Sequence, residues 1–177
     1  MLYYSSARLS MALIRKVYGV DDRSLLDKVA VLSLNNAHAK ETSALDETSL
    51  AELLEMAFYA RGIDCGATAF LIALDQNAPY RNPNFSWFKQ SRESFVYIDR
   101  IIVAASARDQ GVARILYDDL FVMAKQAGHG RVVCEVNIKP PNPASEAFHL
   151  AMGFKEVGQA AIHGGTKTVR YFEKTIR

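Results

Sequence analysis

The most apolar run of the chain, ESFVYIDRIIVAA (93–105), stops at a short polar stretch and passes almost at once into QGVARILYDDLFVMAKQAG. The first segment reads as a buried strand. The second places Ile115, Leu116, Leu120, Met123 and Ala127 on one side at helical spacing, with Gly128 and Gly130 as stop signals. A strand, a tight turn with one glycine (Gly111) and an amphipathic helix therefore stand at the centre of the sequence.

The flanking segments extend the pattern. ALIRKVYGV (12–20) reads as an opening strand, and Asp21 or Asp22 can cap a helix running to about His38 with Leu25, Leu26, Val29, Leu32 and Leu34 on its apolar face. DETSLAELLEMAFYA gives a second helix, capped by Thr48 or Ser49, with Glu52 completing a box from Ser49. ATAFLIALD (67–75) and RVVCEVNI (131–138) read as strands. NPASEAFHLAMGF is a short helix with Asn142 as N-cap, Pro143 in its first turn and Gly153 at its stop. KEVGQAAI and TKTVRYFEKTI pair through the HGG turn at 163–165. Strands alternating with helices imply an α/β or α+β domain, and the closing pair makes the sheet mixed. The longest polar connection, 76–94, is long for a compact domain and carries Tyr80, Phe85, Trp87 and Phe88.

A chain of 177 residues suits one domain, with 1–11 as a peripheral extension and Met11 as an alternative start. A net charge of +2, with Lys and Arg scattered, gives no footprint for a nucleic acid. No run approaches the roughly 18 apolar residues of a membrane span. Cys65 and Cys134 lack the spacing of a disulfide framework or a zinc site. The expectation is a cytoplasmic protein with no metal.

The turn at 108–114 has its own chemistry. First-turn amides of a helix lack intrahelical partners and carry partial positive charge, which suits an anion. A β-carbon at Gly111 or a large side chain at Ala113 would hold a pyrophosphate off the backbone, while Arg108 and Arg114 flank it. A helix-starting glycine in an ordinary turn would give the same letters. No Walker loop and no dinucleotide fingerprint is present.

RDQGVA (108–113) resembles the Q/RxxGxG/A signature of the GNAT superfamily, the acetyl-CoA-dependent N-acetyltransferases. NPASEAFHLAMGF resembles the later NxxAxxFYxxxGF segment of that family, with Asn142, Ser145, Phe148, Gly153 and Phe154 in register and His149 where tyrosine is usual. The resemblance implies a mixed, mostly antiparallel sheet with a central parallel strand pair splayed apart and helices on both faces. It implies acetyl-CoA as cosubstrate, its pyrophosphate on Arg108, Asp109, Gln110, Gly111, Val112, Ala113 and Arg114, mostly through backbone amides. Its pantetheine arm would lie along Ile101, Ile102 and Val103 and against Asn142, with a backbone N–H near Ile102 or Val103 facing the oxyanion. The acceptor would be a small-molecule or peptide amine, attacked directly in a ternary complex, and homodimers are common in the family. A non-catalytic acyl-CoA sensor of the same fold is the alternative.

Amine acylation needs a base, an acid for the departing thiolate and a donor for the oxyanion. His149 stands at the acid position, where it can protonate the sulfur or only bond to it. Asp99 and Glu135 interrupt apolar strands and are the candidate bases, acting through water, with Tyr97 on the same strand face as Asp99. A buried charge network around Arg100 is the competing reading, and no dedicated base at all is a third. Cys134 reads as core. Tyr80, Phe85, Trp87 and Tyr97 are candidates for an acceptor-site wall, or for packing over the sheet, and 34–46 can add polar contacts by position.

Overall fold

Asp22 and Asp27 both cap, and that decides how the chain begins. Asp22 accepts from Ser24 N and closes a single 3₁₀ turn, Arg23–Leu25; Leu26 is extended, and Asp27 then accepts from Val29 N (2.8 Å) and Ala30 N (3.3 Å) to start helix α1, Lys28–Ala37. The single helix expected from Asp21 or Asp22 is thus two pieces. The break rotates the apolar stripe: Leu25 and Val29 are exposed, and Val31 and Asn35 are buried instead. The computed structural model describes residues 19–176; the strand expected at 12–20 falls, apart from its last two residues, outside that range, as does the 1–11 extension.

Helix α2, Glu47–Met56, is capped by Asp46, two residues before Thr48 and three before Ser49, the caps expected. Asp46 Oδ1 accepts from Ser49 N (2.7 Å) and Ser49 Oγ accepts from Asp46 N (2.9 Å), a reciprocal box in which Ser49 is the third residue and not the cap. Strand β1, Tyr59–Ile63, was not expected; Gly62 and Asp21 exchange two backbone hydrogen bonds beside it. Strands β2 (Ala69–Asp75), β3 (Val96–Val103) and β4 (Arg131–Lys139), helix α4 (Val112–Gln126), helix α5 (Pro143–Ala151) and the hairpin β5 (Lys155–Ile162) and β6 (Lys167–Thr175) follow the sequence reading closely. The 76–94 connection is the exception. It contains helix α3, Pro83–Ser91, opened by Asn82, which accepts from Asn84 N and Phe85 N with Pro83 in the first turn.

The six strands form one sheet in the order β1-β2-β3-β4-β6-β5. It is mostly antiparallel, with β3 and β4 as the one parallel pair, Val96 opposite Val132 and Tyr97 opposite Val133. This is the mixed α/β architecture that the alternation of strands and helices predicts, with five helices among the described residues. β4 and β6 pair from Arg131–Thr175 to Lys139–Thr168, and β5 joins β6 through the His163–Gly165 turn, with a register shift between Glu156 and Gly158.

The chain forms two compact units interleaved along the sequence. The first comprises the described residues up to Glu55, Tyr59–Ile72 and Arg100–Leu120; the second comprises Met56–Phe58, Ala73–Asp99 and the described residues from Phe121 onward. Leu50, Ile63, Phe70, Leu116 and Tyr117 are buried in the first unit, and Phe85, Phe88, Phe95, Tyr97, Tyr171 and Phe172 in the second. Tyr59 donates to Asp119 Oδ2 (2.9 Å), which also receives Arg61 Nη1 (2.9 Å), tying β1 to α4 within the first unit.

Candidate active site

The turn before α4 belongs to the first unit. Arg108 is extended, Asp109 and Gly111 take left-handed backbone angles (φ 60° and 79°), and the helix starts at Val112, with Ile115 N donating to Gly111 O. The glycine is thus favoured by conformation, because a β-carbon is disfavoured at such φ. The amides of the first helical turn, from Val112, Ala113 and Arg114, are those that helix geometry leaves without intrahelical acceptors. Gln110 Nε2 donates to Ser106 O (2.8 Å), closing the loop on itself. The Arg108 guanidinium donates from Nη2 to His38 Nε2 (2.7 Å) and, at longer range, from Nε to Val103 O (3.4 Å). Ile101 and Val103 are half-buried and Ile102 buried on β3, while Arg100, also buried, donates to Asn35 Oδ1 of α1 (2.7 Å).

The carboxylates and the aromatic residues lie in the second unit. Tyr80, Phe85, Trp87, Tyr97, Asp99 and Glu135 are brought together there, because α3 lays its face against the start of β3 and against β6. Tyr80 donates to Asp99 Oδ1 at 2.5 Å, the short distance of a charge-assisted bond. Asn84 Nδ2 donates to Glu135 Oε1 (2.9 Å), and Asn84 Oδ1 accepts from Tyr171 (3.1 Å). Glu135 Oε2 and the Tyr97 hydroxyl are both shielded from solvent, and neither has a hydrogen-bond partner. The hydroxyl lies close enough to the carboxyl to favour its charged form, without the full geometry of a hydrogen bond. Burial pushes the Glu135 carboxyl up to about 7; the Tyr97 hydroxyl opposes that and the Asp99 charge adds to it. Burial, then the charge of Glu135, holds the Tyr97 phenol well above its usual 10, so it stays protonated.

An aromatic cluster packs in the same unit. Trp87 stacks on Tyr171 (centroids 4.1 Å apart, 22° between planes), and Phe85 meets Tyr80, Phe95 and Tyr97 edge-on. Phe85 is fully buried, so it packs the unit, whereas Tyr80 and Trp87 are half-buried. Asn84 and Tyr171 were not singled out in the sequence. Asn84 was hidden because 76–94 read as a loop, although its Asn-Pro start is the same signal that marked α5. Tyr171 is one of several alternating aromatic positions on β6, and no letter distinguishes it.

His149 sits on α5, buried, with Nδ1 donating to Ser145 O (2.7 Å). Its ring stacks on Phe172 and meets Phe154 edge-on. Burial lowers it to about 4, opposed by the Ser145 bond, so the ring is neutral near pH 7 with its proton on Nδ1. Asn142 caps α5, accepting from Ser145 N (3.2 Å). Cys134 is buried and its thiol is pushed up by burial, which suits the core reading. Among the described residues no group of three or more His, Cys, Asp or Glu is arranged to hold a metal, and no helix is long and apolar enough to cross a membrane.

The fold, a mixed sheet whose parallel strands β3 and β4 are joined through the glycine turn and α4, is similar to that of solved N-acetyltransferases. The structure is similar to an N-acetyltransferase from Staphylococcus aureus Mu50 (TM-score 0.66, 18% identity, covering 90% of this chain and 99% of that one). It is also similar to the ribosomal-protein-S18-alanine N-acetyltransferase from Escherichia coli (0.62, 16%, 90% and 94%). A protein from Salmonella typhimurium with its cofactor acetyl-CoA matches with a TM-score of 0.64 at 15% identity, over 90% of this chain and 94% of that one. At such identities the likeness is one of fold. No curated protein matches the sequence closely enough to count as a relative. Residues 78–154, which contain both sequence signatures, match the family model for the Acetyltransferase (GNAT) family. Over that stretch the chain is similar to the GNAT family, and the fold of the described residues agrees with it.

Proposed function

We propose that this protein transfers an acetyl group from acetyl-CoA to a primary amine by direct attack, and that Glu135 is the base. The observation that carries the reading is Glu135 itself: a carboxylate held by Asn84, with one oxygen buried and unpartnered and its pKa raised to about 7. Raised burial-shifted carboxylates of this kind are matched to proton transfer near neutral pH. Asp99 is the weaker candidate, because Tyr80 already holds its Oδ1. Glu135 Oε2 takes the proton from the ammonium, directly or through water. The amine nitrogen then bonds to the thioester carbonyl carbon, the carbon–sulfur bond breaks, and the second proton that the nitrogen sheds in becoming an amide balances the one the departing thiolate takes up.

The backbone of Arg108–Arg114 is the part of this chain suited to the pyrophosphate, and Ile101–Val103 with Asn142 to the pantetheine arm. The left-handed turn at Asp109 and Gly111 and the amides of Val112–Arg114 support that assignment. Tyr80 and Trp87 are proposed to border the acceptor. A cytoplasmic location fits this chemistry. His149, neutral and with Nδ1 committed to Ser145 O, suits a contact to sulfur better than a proton donor.

The same observation at His149 favours a second reading, an acyl-CoA sensor without turnover. Free-thiol release from acetyl-CoA across a panel of amines separates them. The enzyme reading requires release that depends on amine and is lost in Glu135→Gln while acetyl-CoA still binds. Binding with no release for any amine would leave only the sensor.

A further inference from the structure

Resting on the assignment of the 108–114 turn to phosphate, we infer that His38 is the positioning residue of Arg108, fixing its guanidinium at the edge of that turn. His38 ends α1, and its ring is oriented from behind: Nδ1 lies 3.0 Å from Leu34 O, and a carbonyl can only accept, so the ring proton is on Nδ1. Nε2 is then an acceptor, and Arg108 Nη2 donates to it at 2.7 Å. The backbone that carries His38 is anchored too, since His38 O accepts from Glu41 N and from the Thr42 hydroxyl.

The arrangement leaves Arg108 able to work. A guanidinium has five N–H donors; one goes to His38 and one, at 3.4 Å, to Val103 O, and three remain. Arg108 is otherwise an exposed arginine beside a strained turn, with rotamer entropy to lose on meeting an anion. A neutral acceptor is the right partner for holding it. A carboxylate in the place of His38 would fix the side chain equally well but would offset the charge that the phosphate needs, whereas the imidazole leaves it intact.

Isothermal titration of the full chain with acetyl-CoA tests this through a double-mutant cycle. Arg108→Ala and His38→Ala should each raise Kd about tenfold, the scale of one hydrogen bond to a charged group. His38→Gln, which keeps an acceptor within reach of Arg108, should restore most of the affinity. In the Arg108→Ala background His38→Ala should have no further effect, because a positioning residue acts only through its partner. If His38→Ala weakens binding equally in both backgrounds, or leaves Kd unchanged while Arg108→Ala raises it, His38 does not position Arg108. If Arg108→Ala itself leaves Kd unchanged while the wild type binds, it is Arg108's part in the phosphate turn that fails, and the inference with it.

Discussion

Replacing Glu135 with glutamine should make the protein more stable, by an amount that grows as pH rises from about 4.5 to about 7. In the unfolded chain the carboxyl titrates near 4.5; in the fold burial raises it to about 7. Between those values the folded state keeps a proton that the unfolded state has released, so stability falls as pH rises across the window and is lowest above it. At 1.36 kcal/mol for each pH unit, the deprotonated carboxylate destabilises the fold by on the order of 3 kcal/mol at pH 8. Glutamine is neutral at every pH, can still accept from Asn84 Nδ2, and brings an amide donor toward the unpartnered Tyr97 hydroxyl. Urea unfolding of both proteins at pH 5 and pH 8 should therefore show a difference in favour of the variant of about 1 kcal/mol at pH 5 and of about 3 kcal/mol at pH 8. The corresponding Tm difference at pH 8 is about 6–12 °C for a chain of this length. A gain of the same size at both pH values, or a loss at pH 8, would show that Glu135 is not a desolvated carboxylate and would remove the physical basis for its role as base.

His149 carries the opposite sign. Its pKa falls from 6.5 to about 4 on burial, so stability is lost as pH drops through that window, and His149→Phe should flatten the acid limb of a Tm-versus-pH curve while lowering turnover more than acetyl-CoA affinity. Gly111→Val places a β-branched residue at φ 79°, a strain of about 1–3 kcal/mol, and should raise the acetyl-CoA Kd at least tenfold; a titration giving the wild-type Kd would sink the phosphate assignment. Gly158→Ala would set a β-carbon 2.6 Å from Trp87 Cζ2 and push the indole off Tyr171; since Trp87 is the only tryptophan, its emission should shift, with about 1–3 kcal/mol lost on unfolding, and an unchanged spectrum would contradict the packing described.

The elements that sequence reasoning located well are those whose pattern is continuous. β2, β3, β4 and α4 are long apolar or strongly periodic segments, and tertiary packing had no reason to override them. Those it misplaced hinge on choices between equivalent letters. Asp21, Asp22 and Asp27 can all cap, and only the packing that buries Val31 in place of Val29 shows that Asp27 starts the helix. Asp46 and Ser49 compete in the same way at α2. α3 was lost because four aromatics in a polar segment have neither period cleanly, although Asn82-Pro83 carried the start signal. β1 was lost because Arg61 and Gly62 break a run of only five residues. At the site, residue type pointed to Asp99 and Glu135 equally. What separates them, Tyr80 on one and Asn84 on the other, depends on a helix that the sequence did not reveal.

The destabilisation predicted for Glu135 and its usefulness as a base are one free energy seen from two sides. A carboxylate at 4.5 would accept a proton from an amine that titrates several units higher only with difficulty, and its conjugate acid would be present in traces at pH 7. Moving it to about 7 makes that transfer easier by the same roughly 3 kcal/mol that the fold loses when the carboxylate is bare, because both follow from withdrawing the charge from water. Asn84 limits the withdrawal: its single hydrogen bond keeps Oε1 solvated, in effect, and leaves Oε2 as the exposed basicity. Strengthening the hold on Glu135 with a second donor would stabilise the protein above pH 7 and lower the pKa together. Stability and basicity at this position cannot be raised at once.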